Sequence, residues 1–312
     1  MFRRIHLCAV FALSLSAFPA AAAVFGRDNR GPLPVSRAAI AEKIGTLVAP
    51  KTGALCTAFC VAPDMIATAS HCFFGTAAGG APDLAGLRFK LASEPSSPGT
   101  AIAGAATANQ SQNIVSGTRS LNVAPPIGAD RDWAVARLET PACHAGGLAL
   151  SNASTGDVRA TAARGGVYQI AMHRDLPDTE LRVAEGCALH TSFAQASANA
   201  LAHDFANPAA LLLHTCDTGP GSSGSPMLVD GASGPEVVGI NVGTYVISRS
   251  IISAVSSPAT PASEPISNTA LVTTQFANAI GELSRRVLID KAGKSVRGRQ
   301  PQSISFRPAS TD

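Results

Sequence analysis

Short runs of apolar and β-branched residues recur along most of the chain, and Gly, Pro, Asp and Asn separate them. Runs of this kind occupy Cys56 to Val61, Met65 to Ala69, Trp133 to Leu138, Gly166 to Met172, Leu181 to Leu189, Ala210 to His214 and Val237 to Ile247, and each predicts a strand. Between 75 and 130 the chain is rich in Gly, Ala and Ser, with weak strand signals at Leu87 to Leu91 and Gln112 to Val115. No helical period of useful length interrupts the strands. Residues 254–266 contain Pro258, Pro261 and Pro265 and predict an exposed loop. The period then changes: Val272, Phe276, Ile280, Leu283 and Val287 recur at steps of three and four behind Ser267 and Asn268, which predicts an amphipathic C-terminal helix over 267–288 with those polar residues as N-caps. The pattern is that of an all-β protein closed by one helix, and its length suits two strand-rich barrels or sandwiches.

The two ends do not extend this pattern. Arg3 and Arg4 precede an apolar run from Leu7 to Phe18 that is short for a bilayer, and Pro19 with Ala20 to Ala23 offers small residues for cleavage. Residues 1–23 therefore read as a secretory signal rather than a retained membrane anchor, with a mature start near Val24. Residues 289–312 are polar and basic and read as a solvated tail. The expected organisation is an N-terminal extension and first barrel over 24–145, a second barrel over 146–253, the loop 254–266, then helix and tail. Of seven cysteines, Cys8 leaves with the signal, and the even remainder in an exported chain favours disulfides. A composition 46% hydrophobic and 14% charged is globular, and a net charge of +3 gives no reason to infer a nucleic-acid or membrane partner.

Three segments carry candidate chemistry. In Cys216-Asp217-Thr218-Gly219-Pro220-Gly221-Ser222-Ser223-Gly224-Ser225-Pro226, glycines and prolines between strand-like segments force a turn that displays Ser223, a candidate nucleophile. A serine needs a base and a group that orients the base. The base is sought at His71, which ends a strand-like run in Ala67-Thr68-Ala69-Ser70-His71-Cys72. Cys56 lies upstream of Cys72 at a spacing consistent with a disulfide that fixes the histidine's loop. A metal site from Cys56, Cys60, His71 and Cys72 lacks the usual paired spacing. Asp132, just before the apolar run Trp133 to Leu138, is the candidate orienter, because a carboxylate entering a core needs a hydrogen-bonding partner. Asp130, beside Arg131, reads as more solvated.

Taken together, His71 in Thr-Ala-Ser-His-Cys, Asp132 in Asp-Trp-Ala-Val-Ala-Arg-Leu and Ser223 in Gly-Ser-Ser-Gly-Ser-Pro, in that order, resemble the trypsin/chymotrypsin-like serine peptidases. The likeness is greatest to their bacterial secreted branch, which includes glutamyl endopeptidases, and it takes in Phe25 to Arg30, Val238 to Gly243 and the terminal helix. The order His, Asp, Ser excludes an α/β-hydrolase, because His214 is the last histidine and precedes Ser223. The resemblance implies two antiparallel six-stranded β-barrels with the triad between them. It also implies an oxyanion hole from the backbone N–H groups of Gly221 and Ser223, a protein or peptide substrate, a monomer, and no metal or organic cofactor.

The resemblance also implies substrate contacts at Asp217, Thr218, Asn241, Val242 and Gly243. Asp217 stands where trypsin-like members carry the acid that pairs with substrate Arg or Lys, and it fits equally an aspartate that accepts backbone N–H bonds. Asn241 stands where glutamate-specific members carry a histidine. Ser222 replaces the aspartate that pairs with a trimmed N-terminus, which argues against activation by that ion pair. In such a fold Cys187 and Cys216 would bridge strands of the second barrel, and Cys60 and Cys143 would form the remaining pair. The alternatives are a non-catalytic binding protein on the same fold, and a peptidase preferring Glu or a small apolar residue.

Overall fold

The computed structural model describes residues 23–49, 53–107, 110–178, 180–253 and 263–286. The expected tail, most of the expected signal and most of the proline-rich loop lie outside them. The described chain is mostly strand, in two curled antiparallel sheets with few helices, the arrangement of a chymotrypsin-like double barrel.

In the first sheet, β1 (Ile44–Ala49), β2 (Gly53–Ala62), β3 (Met65–Thr68), β4 (Arg88–Leu91), β5 (Ile114–Ser116) and β6 (Ala134–Arg137) join the two-residue strand Thr100–Ala101, which pairs with β4. The order is Thr100–Ala101, β4, β1, β2, β3, β6, β5. The second sheet holds β7 (Val167–Met172), β8 (Leu181–Ala184), β9 (Leu211–His214), β10 (Pro226–Gly231), β11 (Gly234–Val246), β12 (Ser250–Ile252) and β13 (Pro265–Val272). Its central run is β8, β7, β10, β11, β13, β9. The sheets have seven and ten strands rather than six each, because short edge strands extend both. One of these, Gly31–Pro32, pairs with β8, so the N-terminal segment packs on the second sheet.

Apolar side chains from both sheets merge into a main core, in which Phe59 of β2 meets Phe276 edge to face at 6.5 Å between ring centroids, and a smaller cluster around Val167, Leu212 and Met227 lies in the second sheet. Burial of such side chains, at about 25 cal/mol per Å² of apolar surface, is the main force holding the sheets together. The C-terminal helix begins at 277 and is described to 286, later than expected, with Leu283 fully buried. Ser267 and Asn268 do not cap it: they lie inside β13, where Asn268 donates to the Cys216 carbonyl at 2.6 Å and accepts from Thr244 Oγ1 at 2.7 Å. The strand expected over 181–189 is broken after Ala184, where Gly186 adopts φ +64. Besides the single turns Ala38–Ala41 and Gln110–Asn113, the described α-helices are α1 (His71–Phe74), α2 (Thr155–Ala162), α3 (Ala198–Asp204) and α4 (277–286); α2 and α3, each with a serine N-cap, were not expected from the sequence.

Candidate active site

β3 ends at Thr68, and the chain turns at once into the single helical turn α1, which opens with His71. The Cys56–Cys72 disulfide ties this turn to β2. Asp132 lies just before β6, the neighbour of β3, so adjacent strands deliver acid and base to the same end of the sheet. His71 Nδ1 is 2.6 Å from Asp132 Oδ2, and both side chains are fully buried. The other carboxylate oxygen accepts the Ser70 hydroxyl at 2.7 Å and the His71 backbone N–H at 2.9 Å. With Nδ1–H donated to the carboxylate, Nε2 is left as the ring's basic nitrogen, and it has no hydrogen-bond partner in the structure. Asp130 is not solvated as expected: it is buried, and burial raises its carboxyl above the ordinary range.

Ser223 lies in the turn between β9 and β10. Its carbonyl accepts the Thr57 N–H at 2.9 Å and approaches Cys72 Sγ at 4.0 Å, which brings the loop against β2 and the histidine's turn. Thr57 does more than this. Its hydroxyl donates to the Gly221 carbonyl at 2.9 Å and accepts from the Met172 N–H at 3.0 Å, joining the two sheets beside the Ser223 loop. Gly224 adopts φ +82, and a Cβ there would lie 2.0 Å from Thr68 Oγ1 and 2.3 Å from the Thr57 carbonyl oxygen. Gly221 adopts φ +102 with Met172 packed against it. Both glycines are thus required for the loop to approach β2 and β7.

A shift in the β11–β13 register between Asn241 and Gly243 leaves Val242 out of the pairing. Its carbonyl accepts the Ser223 hydroxyl at 3.1 Å. An open cleft borders Ser223, with Thr218, Gly243 and Ile252 in its walls and no charged side chain among its lining.

Of the expected substrate contacts, Thr218 and Gly243 therefore face the cleft. Asp217 does not. It is buried, and its two oxygens accept the N–H groups of Phe25 and Asn29 at 2.7 and 2.8 Å. Of its two readings, the backbone-acceptor role is the one the geometry supports, with donors that come from the N-terminal segment. That segment continues along the loop: Ala23 and Thr218 exchange backbone bonds of 2.8 and 3.0 Å, and Arg30 pairs with Asp175 beside Gly219. Asn241 is also buried outside the cleft lining, where it contacts Ser222 and His214.

The three expected disulfides, Cys56–Cys72, Cys60–Cys143 and Cys187–Cys216, are all present. Cys56, His71 and Cys72 cluster closely enough to suggest a metal site, but both sulfurs are consumed by the disulfide. Among the described residues no helix is long and apolar enough to cross a membrane. The sequence reading missed Thr57 and Ser70. Ser70, next to His71, was in view; Thr57 lies among apolar strand residues and gave no signal.

The chain matches the trypsin-like peptidase domain family over residues 56–240, more than half its length, and belongs to that family. No curated protein matches it in sequence.

Proposed function

We propose that the protein is an exported serine endopeptidase that hydrolyses peptide bonds through Ser223, His71 and Asp132. The observation that carries this reading is the fully buried His71–Asp132 pair, with Nδ1 bonded at 2.6 Å and Nε2 unpartnered. Nδ1 held by a buried carboxylate with the opposite nitrogen left to accept a proton is the arrangement a general base requires. Three disulfides fit an oxidising compartment.

In this reading the Ser223 hydroxyl leaves the Val242 carbonyl and gives its proton to His71 Nε2 as Oγ bonds to the peptide carbonyl carbon. Asp132 holds the ring's tautomer and stabilises the imidazolium. The N–H groups of Gly221 and Ser223 stabilise the oxyanion, at roughly 3 kcal/mol per donor. Collapse of the intermediate breaks the C–N bond, and Nε2 returns the proton to the leaving amine. Water then takes the serine's place, and the same transfers release the acid and restore Ser223.

The uncharged cleft and the engaged carboxylate of Asp217 favour an uncharged, small residue before the scissile bond over Arg or Lys. The deciding experiment is labelling of the folded, processed protein by a fluorophosphonate. Labelling that disappears in Ser223→Ala supports the peptidase; a folded protein that takes no label is a binding protein instead.

A further inference from the structure

Ser222 carries no charge, so no ion pair can hold the loop that presents the oxyanion donors. Behind that loop lies a neutral chain of buried polar groups. Asn241 Nδ2 donates to the Ser222 carbonyl at 3.2 Å and lies 3.3 Å from the Ser222 hydroxyl, while Asn241 Oδ1 lies 3.1 Å from His214 Nε2. The Asn241 backbone is tied in as well, its N–H donating to the Ser225 carbonyl at 2.9 Å and its carbonyl accepting from Gly224 at 2.8 Å. All three side chains are nearly or wholly buried.

The directions in this chain are determined. Burial pushes the His214 ring down to about 4, so at neutral pH it carries one proton. Its Nδ1 has no partner, which places that proton on Nε2 as a donor to Asn241 Oδ1. The asparagine amide is thereby oriented with its NH₂ toward Ser222. The bond to the Ser222 carbonyl has a consequence for Ser223. A trans peptide holds its C=O and the following N–H in one plane, pointing in opposite directions. Fixing the Ser222 carbonyl therefore fixes the Ser223 N–H, one of the two oxyanion donors of the proposed mechanism.

We infer that Asn241, oriented by His214, is the positioning residue for the Ser223 oxyanion donor and does the work that an ion pair to a charged residue at position 222 would otherwise do. The inference rests on the peptidase reading above. Asn241 does not touch substrate; it acts through the Ser222–Ser223 peptide plane.

The test is the kinetics of fluorophosphonate labelling, resolved into reversible affinity and maximal rate, on the wild type, Asn241→Asp and His214→Phe, with melting curves for each. Asn241→Asp keeps the shape of the side chain and removes the donor to the Ser222 carbonyl. The maximal rate should fall about 30-fold, a fraction of the loss expected when an oxyanion donor is removed outright, with reversible affinity changed less than about twofold. His214→Phe should change the rate in the same direction and leave affinity alone. A folded Asn241→Asp protein that labels at the wild-type maximal rate overturns the inference while leaving the peptidase reading intact. If both variants melt below the assay temperature, Asn241→Ser, which keeps a short donor, must restore the rate in part, and a folded Asn241→Ser protein with wild-type kinetics also refutes it. A wild type that takes no label overturns both.

Discussion

The Ser70 hydroxyl donates to Asp132 at 2.7 Å, on the carboxylate oxygen that the His71 ring does not use. The aspartate is therefore held from two sides, and its second oxygen cannot swing toward the imidazole. Ser70→Ala frees it. A hydrogen bond to a charged group is worth about 2 kcal/mol, so kcat should fall up to about 30-fold with KM nearly unchanged. A peptide substrate assayed under steady-state conditions checks this.

Asp132→Asn preserves the shape of the site and replaces one carboxylate oxygen with a donor. The His71 ring then has no anion to hold its tautomer, and kcat should fall about 10⁴-fold. Circular dichroism of the variant should retain the strand signal of the wild type. A loss below tenfold would mean that Asp132 orients nothing.

Asp217 divides stability from specificity. Its carboxylate closes the N-terminal segment over the loop through Phe25 and Asn29. Asp217→Ala leaves two donors without their acceptor and should destabilise the fold by about 3 kcal/mol. The ranking of peptides with Arg, Glu or Leu before the scissile bond should stay the same. A changed ranking would return Asp217 to the specificity pocket.

At Gly224 the backbone leaves no room for a side chain. A methyl group would overlap Thr68 and the Thr57 carbonyl, at a φ of +82 that alanine resists. Gly224→Ala should cost more than about 3 kcal/mol, seen as a large drop in melting temperature, and should abolish fluorophosphonate labelling in whatever folds.

His173 and His214 are buried in the neutral form, and desolvation lowers them from 6.5 to about 3 and about 4. Because the folded values lie below the unfolded one, their contribution is complete above pH 6.5 and declines as the pH falls toward the folded values. Over its interval His214 can remove about 3 kcal/mol and His173 about 5 kcal/mol. Melting temperature measured from pH 7 to pH 4 should fall, and His173→Leu should flatten part of the slope.

The strands and the three candidate residues stand out in the chain because their signals are local. β3 is a compact apolar run, His71 follows it directly, and the glycines around Ser223 announce a turn that has no other purpose. β13 was misread for the opposite reason. Ser267 and Asn268 look like helix caps in sequence, and only their pairing with Tyr245 and Thr244, distant in the chain, reveals them as positions inside a strand. Asp217 was left between two roles, and Asp130 was misplaced, for the same reason. A carboxylate's surroundings are set by segments hundreds or tens of residues away, and the sequence shows only its neighbours.

Thr57 binds the Gly221 carbonyl from the opposite sheet, and its own N–H holds Ser223. A chain with only one sheet formed would therefore have a serine and a histidine but no geometry in which they cooperate. In the proposed reading, hydrolysis requires both sheets to be folded and docked, and neither half alone would carry it.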